Sequence, residues 1–215
     1  MDKILDNIEA RILACLVEKE FTTPDYYPLT LNSLVAACNQ KSNRNPVVLF
    51  EETAVESALE TLRKKGLVQT IHIPGSRTAK YKHSFMEEFR LISSEASILC
   101  ELMLRGPQTL GELRTHAGRM YEFKGLQEID EILSDLMDRT PALVLKLQRE
   151  PGKREERYMH LLSGMPEEQS ASVADSSKQA EKDDPRLAKL EKEVSDLRDE
   201  LAALRDSFET FKSQF

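Results

Sequence analysis

The chain has 215 residues, 40% of them hydrophobic, with 30 Lys and Arg against 37 Asp and Glu for a formal net charge of −7. An acidic chain is a poor non-specific binder of nucleic acid, because attraction to phosphate comes from clustered cations, so any such binding requires local patches. The charge divides as 0 over residues 1–92, −2 over 93–164 and −5 over 165–215, which places the excess in the tail.

The N-terminal stretch MDKILDNIEARILACLVEKEF is too charged for a signal peptide, and no run approaches the ~18 apolar residues of a membrane span. A soluble, cytoplasmic protein without membrane association is expected. Cys15, Cys38 and Cys100 are odd in number and lie in apolar helical patterns, which points to core thiols in a reducing compartment. Residues 5–16 place Leu5, Ile8, Ile12, Cys15 and Leu16 on one helical face. Thr30 is suited to capping a short helix that carries Leu31 and Leu34. Behind it comes AACNQKSNRNP, a polar island with two cations and no acid. Its Asn and Ser side chains can close the loop on itself, which leaves Lys41 and Arg44 surplus to that task. A third helix carries Val55, Ala58, Leu59 and Leu62, and the runs LVQTIHI and TAKYKH, split by Pro74-Gly75, read as a hairpin.

The same order is written again. Ala10, Ile12, Leu13 and Leu16 answer to Ala96, Ile98, Leu99 and Leu102 at an offset of 86 residues. Thr30, Leu31 and Leu34 answer to Thr109, Leu110 and Leu113 at 79, and Val55, Ala58, Leu59 and Leu62 to Ile129, Ile132, Leu133 and Leu136 at 74. LVLKLQRE and ERYMHLL around Pro151-Gly152 make the second hairpin. Three helices followed by a hairpin is the winged-helix order. The expected fold class is mainly α with small β-hairpin wings (α+β): winged-helix domain 1 over 1–92, winged-helix domain 2 over 93–164, a disordered linker over 165–184 and a coiled-coil helix over 185–215.

The linker is rich in Ser, Glu, Asp and Lys and poor in apolar side chains, so little there offsets the entropy of ordering. Beyond Pro185, the residues Leu187, Leu190, Val194, Leu197, Leu201, Leu204, Phe208, Phe211 and Phe215 alternate steps of three and four, a heptad seam about 42 Å long. Glu193 with Arg198 and Glu200 with Arg205 suit a parallel homodimer. A single amphipathic helix folded back on its own domain is the alternative.

CNQKSNRNPV, LRGPQTLGELRTHAGRMYEF and REPGKREERYMHL closely resemble the bacterial YceH family. That resemblance implies the tandem winged-helix fold and brings no activity, so function rests on side chains. The third helices expose Glu52, Glu56 and Glu60 in one repeat and Glu128, Asp130, Glu131, Asp135 and Asp138 in the other, which opposes ordinary insertion into the major groove. Cations collect instead at Lys41, Arg44, Arg77, Lys80 and Lys82, and at Arg149, Lys153, Arg154 and Arg157 among glutamates. Met120, Tyr121 and Phe123 in the second repeat's insert either pack inward or face a partner. The four histidines lack metal-ligand spacing, and neither a phosphate-cradling glycine loop nor a nucleophile elbow appears. A non-enzymatic protein with no catalytic residue, metal or cofactor is expected: a dimeric DNA-associated regulator contacting nucleic acid through wings and loops. The alternative is a protein-interaction adaptor using the acidic third helices and the coiled coil.

Overall fold

The computed structural model describes residues 4–72, 78–148 and 155–165. The linker and the heptad seam, apart from Met165, lie outside the described residues, as do both Pro-Gly turns.

α1 spans Asn7–Thr22 and starts on a reciprocal cap. Asp6 Oδ1 accepts from the backbone N–H of Ile8 and of Glu9, each at 2.8 Å, and Glu9 Oε2 accepts from Asp6 N at 2.8 Å. Every residue from Glu9 to Glu18 is buried, so this helix has no solvent face over its middle turns. A 3-10 turn at Pro24–Tyr26 and the short strand β1 (Leu29–Thr30) lead to α2 (Leu31–Cys38), which Thr30 caps as its position predicts: its Oγ1 accepts from Ser33 N. α3 (Glu52–Lys64) buries Val55, Ala58, Leu59 and Leu62 and stops before Gly66, whose φ of 74° favours glycine. β2 (Val68–Ile71) and β3 (Lys80–His83) pair antiparallel with Val68 opposite His83, and β1 adds to the other edge of β3, giving the order β1-β3-β2.

α4 (Phe85–Phe89) then leads into the second round: α5 (Ser93–Arg105), α6 (Leu110–Ala117), α7 (Leu126–Asp138), β4 (Val144–Lys146) and β5 (Tyr158–His160). α5 is buried from Ser94 to Leu104. Thr109 caps α6 by accepting from Glu112 N, and α7 buries Ile129, Ile132, Leu133 and Leu136. β4 pairs antiparallel with β5, and a lone bridge from Gln108 to Tyr158 stands where the first round has β1.

The two rounds share one core. α1 and α5 pack on each other and are enclosed by α2 and α3 on one side and α6 and α7 on the other. Leu5 N donates to Leu162 O at 2.8 Å, tying the start of the described unit to its end.

The repeat extends to side chains that hydropathy does not reveal. Lys65 Nζ, just past α3, donates to Ile4 O and to Glu9 Oε2 at 2.7 and 2.5 Å. Arg139, just past α7, donates to Arg90 O and to Glu95 Oε1 at 3.2 and 2.8 Å. Glu95 also accepts from Ile92 N at the head of α5, as Glu9 does from Asp6 N. In each round a cation at the end of the third helix clamps the acid that starts the first. Removing the cation strands a largely buried carboxylate, so Lys65→Met and Arg139→Met should each lower stability by about 1–3 kcal/mol in urea unfolding. Losses below ~0.5 kcal/mol in both would show that the clamps are ornamental.

Candidate functional site

α2 ends at Cys38 and α3 begins at Glu52, so residues 39–51 cross between helices without regular structure. Asn39 closes the crossing: its Nδ2 donates to Phe50 O at 2.9 Å and its Oδ1 accepts from Phe50 N at 2.7 Å. Arg11 Nη2 donates to Pro46 O at 2.8 Å, and Asn45 N donates to Leu104 O at 3.0 Å. Asn43 adopts φ 58°, a conformation Asn tolerates, and its Oδ1 accepts from Arg105 Nη2 at 2.6 Å. The amides therefore hold the loop, as its composition predicts.

Arg44 is a correction. The sequence reading makes it a surface cation for nucleic acid, but it is 5% exposed. Its Nη1 and Nη2 grip the two carboxylate oxygens of Glu18 at 3.0 and 2.5 Å, while Nε and Nη2 donate to Ala37 O at 3.3 and 3.0 Å. Two acceptors draw it inward: a carboxylate without solvent, and a carbonyl in the last turn of α2 that the helix itself leaves open. Glu18 also accepts from Arg119 Nη1. Arg119 Nη2 and Nε reach Glu101 Oε1 at 2.6 and 3.0 Å, and Arg105 Nε donates to Glu101 Oε2 at 3.2 Å. Because Arg105 also binds Asn43, the chain of charges leaves the loop at Arg44 and returns to it one residue earlier. Burial alone would push the Glu18 carboxyl up; the hydrogen bonds and charge of Arg44, with those of Arg119, outweigh it and hold Glu18 below the usual range.

The remaining cations are divided. Lys41 is exposed, and Lys80 and Lys82 are half-buried on one face of β3. Arg157 is engaged internally, with Nη1 donating to Pro107 O at 2.7 Å and Nη2 3.3 Å from Glu112 Oε1. Arg77, Arg149, Lys153 and Arg154 lie outside the described residues. The outward faces of the third helices are acidic as expected: Glu52, Glu56 and Glu60 on α3, and Asp130, Glu131, Asp135 and Asp138 on α7, are exposed. Met120 and Tyr121 pack against the core and Phe123 is buried in it, so the second insert turns its apolar side chains inward. All three cysteines are buried and free. Among the described residues no cluster of three or more His, Cys, Asp or Glu is placed to hold a metal, and no helix is long and apolar enough to cross a membrane.

Residues 5–153 match the family described as "Protein of unknown function, DUF480". The chain belongs to this family. Among its relatives, the UPF0502 proteins of Pelobacter propionicus and Geobacter sulfurreducens are each 48% identical to it over the full length of both chains. That of Citrifermentans bemidjiense is 49% identical over 91% of this chain and 90% of its own. The DUF480 match runs from the start of the first round through β4 of the second and includes every residue of the charge circuit.

Sequence reasoning missed Glu18, Glu101, Arg11 and Arg105 as members of one assembly. The available signal was an acid set inside an apolar helical run: Glu101 lies within ILCELML, and Glu18 follows Cys15 by three residues on the buried side of α1. Arg44→Ala should destabilise the protein by about 3 kcal/mol, because it leaves a solvent-free carboxylate under-paired. Asn39→Ala, losing both bonds to Phe50, should cost about 2 kcal/mol. Lys41→Ala, at an exposed position, should change stability by less than ~0.5 kcal/mol. Since the folded Glu18 carboxyl sits below its unfolded value near 4.5, its contribution is complete above that pH and disappears as pH falls through the lower folded value. Glu18→Gln should therefore be less stable than the parent at pH 7 and lose less on acidification below about pH 4.5; parallel acid-unfolding curves would contradict the circuit.

Proposed function

We propose that the chain is a non-enzymatic, cytoplasmic tandem winged-helix protein that works as a protein-interaction adaptor, dimerised by its C-terminal heptad seam. The element order helix, strand, two helices, two strands, with sheet order β1-β3-β2, supports the winged-helix reading, as does its repetition with a single bridge in place of the first strand. The resemblance to YceH proteins agrees with it. The observation that carries the adaptor reading is electrostatic: the outward faces of α3 and α7 are lined by carboxylates, Glu60 pairing with Arg63 in the last turn of α3, while Arg44 in the loop before α3 is spent inside. A carboxylate face repels phosphate and attracts cationic protein surface.

A second reading, DNA association through the first hairpin, draws on a different feature. Lys19 and Lys80 line one cavity of about 400 Å³ together with Thr30, Ser33 and the acid Asp25. The two readings separate experimentally. Capture from nuclease-treated lysate should recover a protein partner with the parent and lose it with Glu52→Lys/Glu56→Lys/Glu60→Lys. Duplex DNA at about 0.15 M salt should bind no tighter than the ~10⁻⁶ M typical of non-specific association. Tighter DNA binding that Lys80→Glu/Lys82→Glu removes would replace the adaptor reading with the second one.

A further inference from the structure

The loop between α2 and α3 holds apolar side chains out of the core. Leu49 is 83% exposed and Val47 53%, and Leu49 is the most exposed large hydrophobic residue among the described residues. Val48 and Phe50 between and beyond them are half-buried, so exposure alternates with the period of extended chain. Slack does not explain this. Arg11 fixes Pro46 O on one side and the Asn39 amide fixes both backbone groups of Phe50 on the other. Among the described residues no hydrogen bond reaches the backbone of Val47, Val48 or Leu49.

The second round shows that such a loop can be buried. Residues 118–125, anchored by Arg119 as this loop is by Arg44, turn Met120, Tyr121 and Phe123 inward. The first loop differs and leads directly into acids. Glu51, Glu52 and Glu56 are exposed, and among the described residues none of them has an ion-pair partner.

We propose that residues 46–51 are a docking edge for an extended segment of a partner protein that alternates aliphatic with Lys or Arg side chains. This surface rests on the adaptor reading and names the partner's chemistry. The open backbone groups of Val47 to Leu49 pair with the incoming strand, Val47 and Leu49 pack on its aliphatic residues, and its cations meet Glu51, Glu52 and Glu56.

The test uses the full chain and a short fluorescein-labelled peptide of alternating lysine and valine, followed by anisotropy, with an alternating glutamate and valine peptide as control. The parent should bind the lysine peptide and not the glutamate peptide. Leu49→Asp should weaken binding at least tenfold with an unchanged melting temperature, because Leu49 is exposed. The added carboxylate would strengthen a purely electrostatic association, so the direction of the change is diagnostic. Unchanged or tighter binding in Leu49→Asp, or no binding by the parent, overturns the proposal. In the lysate capture, a partner lost with the α3 charge reversal yet kept with Leu49→Asp would reject this surface and leave the adaptor reading standing; a partner kept by both would reject that reading.

Discussion

Glu18 and Glu101 are two carboxylates with no solvent, one from each round of the fold, and Arg119 holds both. Taking such groups out of water costs several kcal/mol apiece, and only closely fitted cations return that cost. Arg44 completes Glu18, and Arg105 completes Glu101. Arg44 and Arg119 come from matching loops after the second helix of each round. Each loop thereby returns a guanidinium to the interior acids of α1 and α5, Arg119 two residues beyond the end of α6 and Arg44 six beyond the end of α2. The circuit also sets how the two rounds meet, since an α1–α5 interface held by aliphatic packing alone would tolerate sliding that a shared arginine does not.

Much of the architecture was legible because it repeats locally. The offsets of 86, 79 and 74 aligned buried positions in all three helices of each round, and Thr30 and Thr109 act as the caps their positions implied. Antiparallel strand pairs, β2 with β3 and β4 with β5, also emerged within the β-rich runs read from the sequence. These features depend on neighbours within a few turns of the same helix or strand, which periodicity records. The charge circuit does not. Arg119 and Glu18 are 101 residues apart, and a cation in a polar loop looks solvated until its distant acid is known. Arg44 was therefore misplaced for a physical reason: composition reports that a residue is charged, whereas burial depends on a counter-ion supplied by tertiary structure.

The repeat hides a division of labour. Both loops send an arginine inward, so both are fixed; the second turns Met120, Tyr121 and Phe123 to the core, whereas the first packs Phe50 there and leaves Val47 and Leu49 exposed. In the first, the strongest internal anchors lie on either side of the most exposed leucine. Rigid presentation matters energetically, because a partner meeting a pre-formed edge does not bear the entropy of ordering it.

In the proposed docking, charge and apolar contact act at different stages of an encounter. Glu51 and Glu52 adjoin the loop and Glu56 is one helical turn, about 5.4 Å, further on. The group lies within about one Debye length of an approaching chain at physiological salt. Such a field orients and accelerates collision with cationic segments and repels polyanions, an effect that salt weakens. Val47 and Leu49 exert no comparable long-range pull; they engage only after contact, when water leaves, and so govern residence more than approach. The buried arginines make that separation sustainable. Arg44 neutralises an interior acid without cancelling the surface carboxylates beside it, and the outer face of α3 keeps its sign.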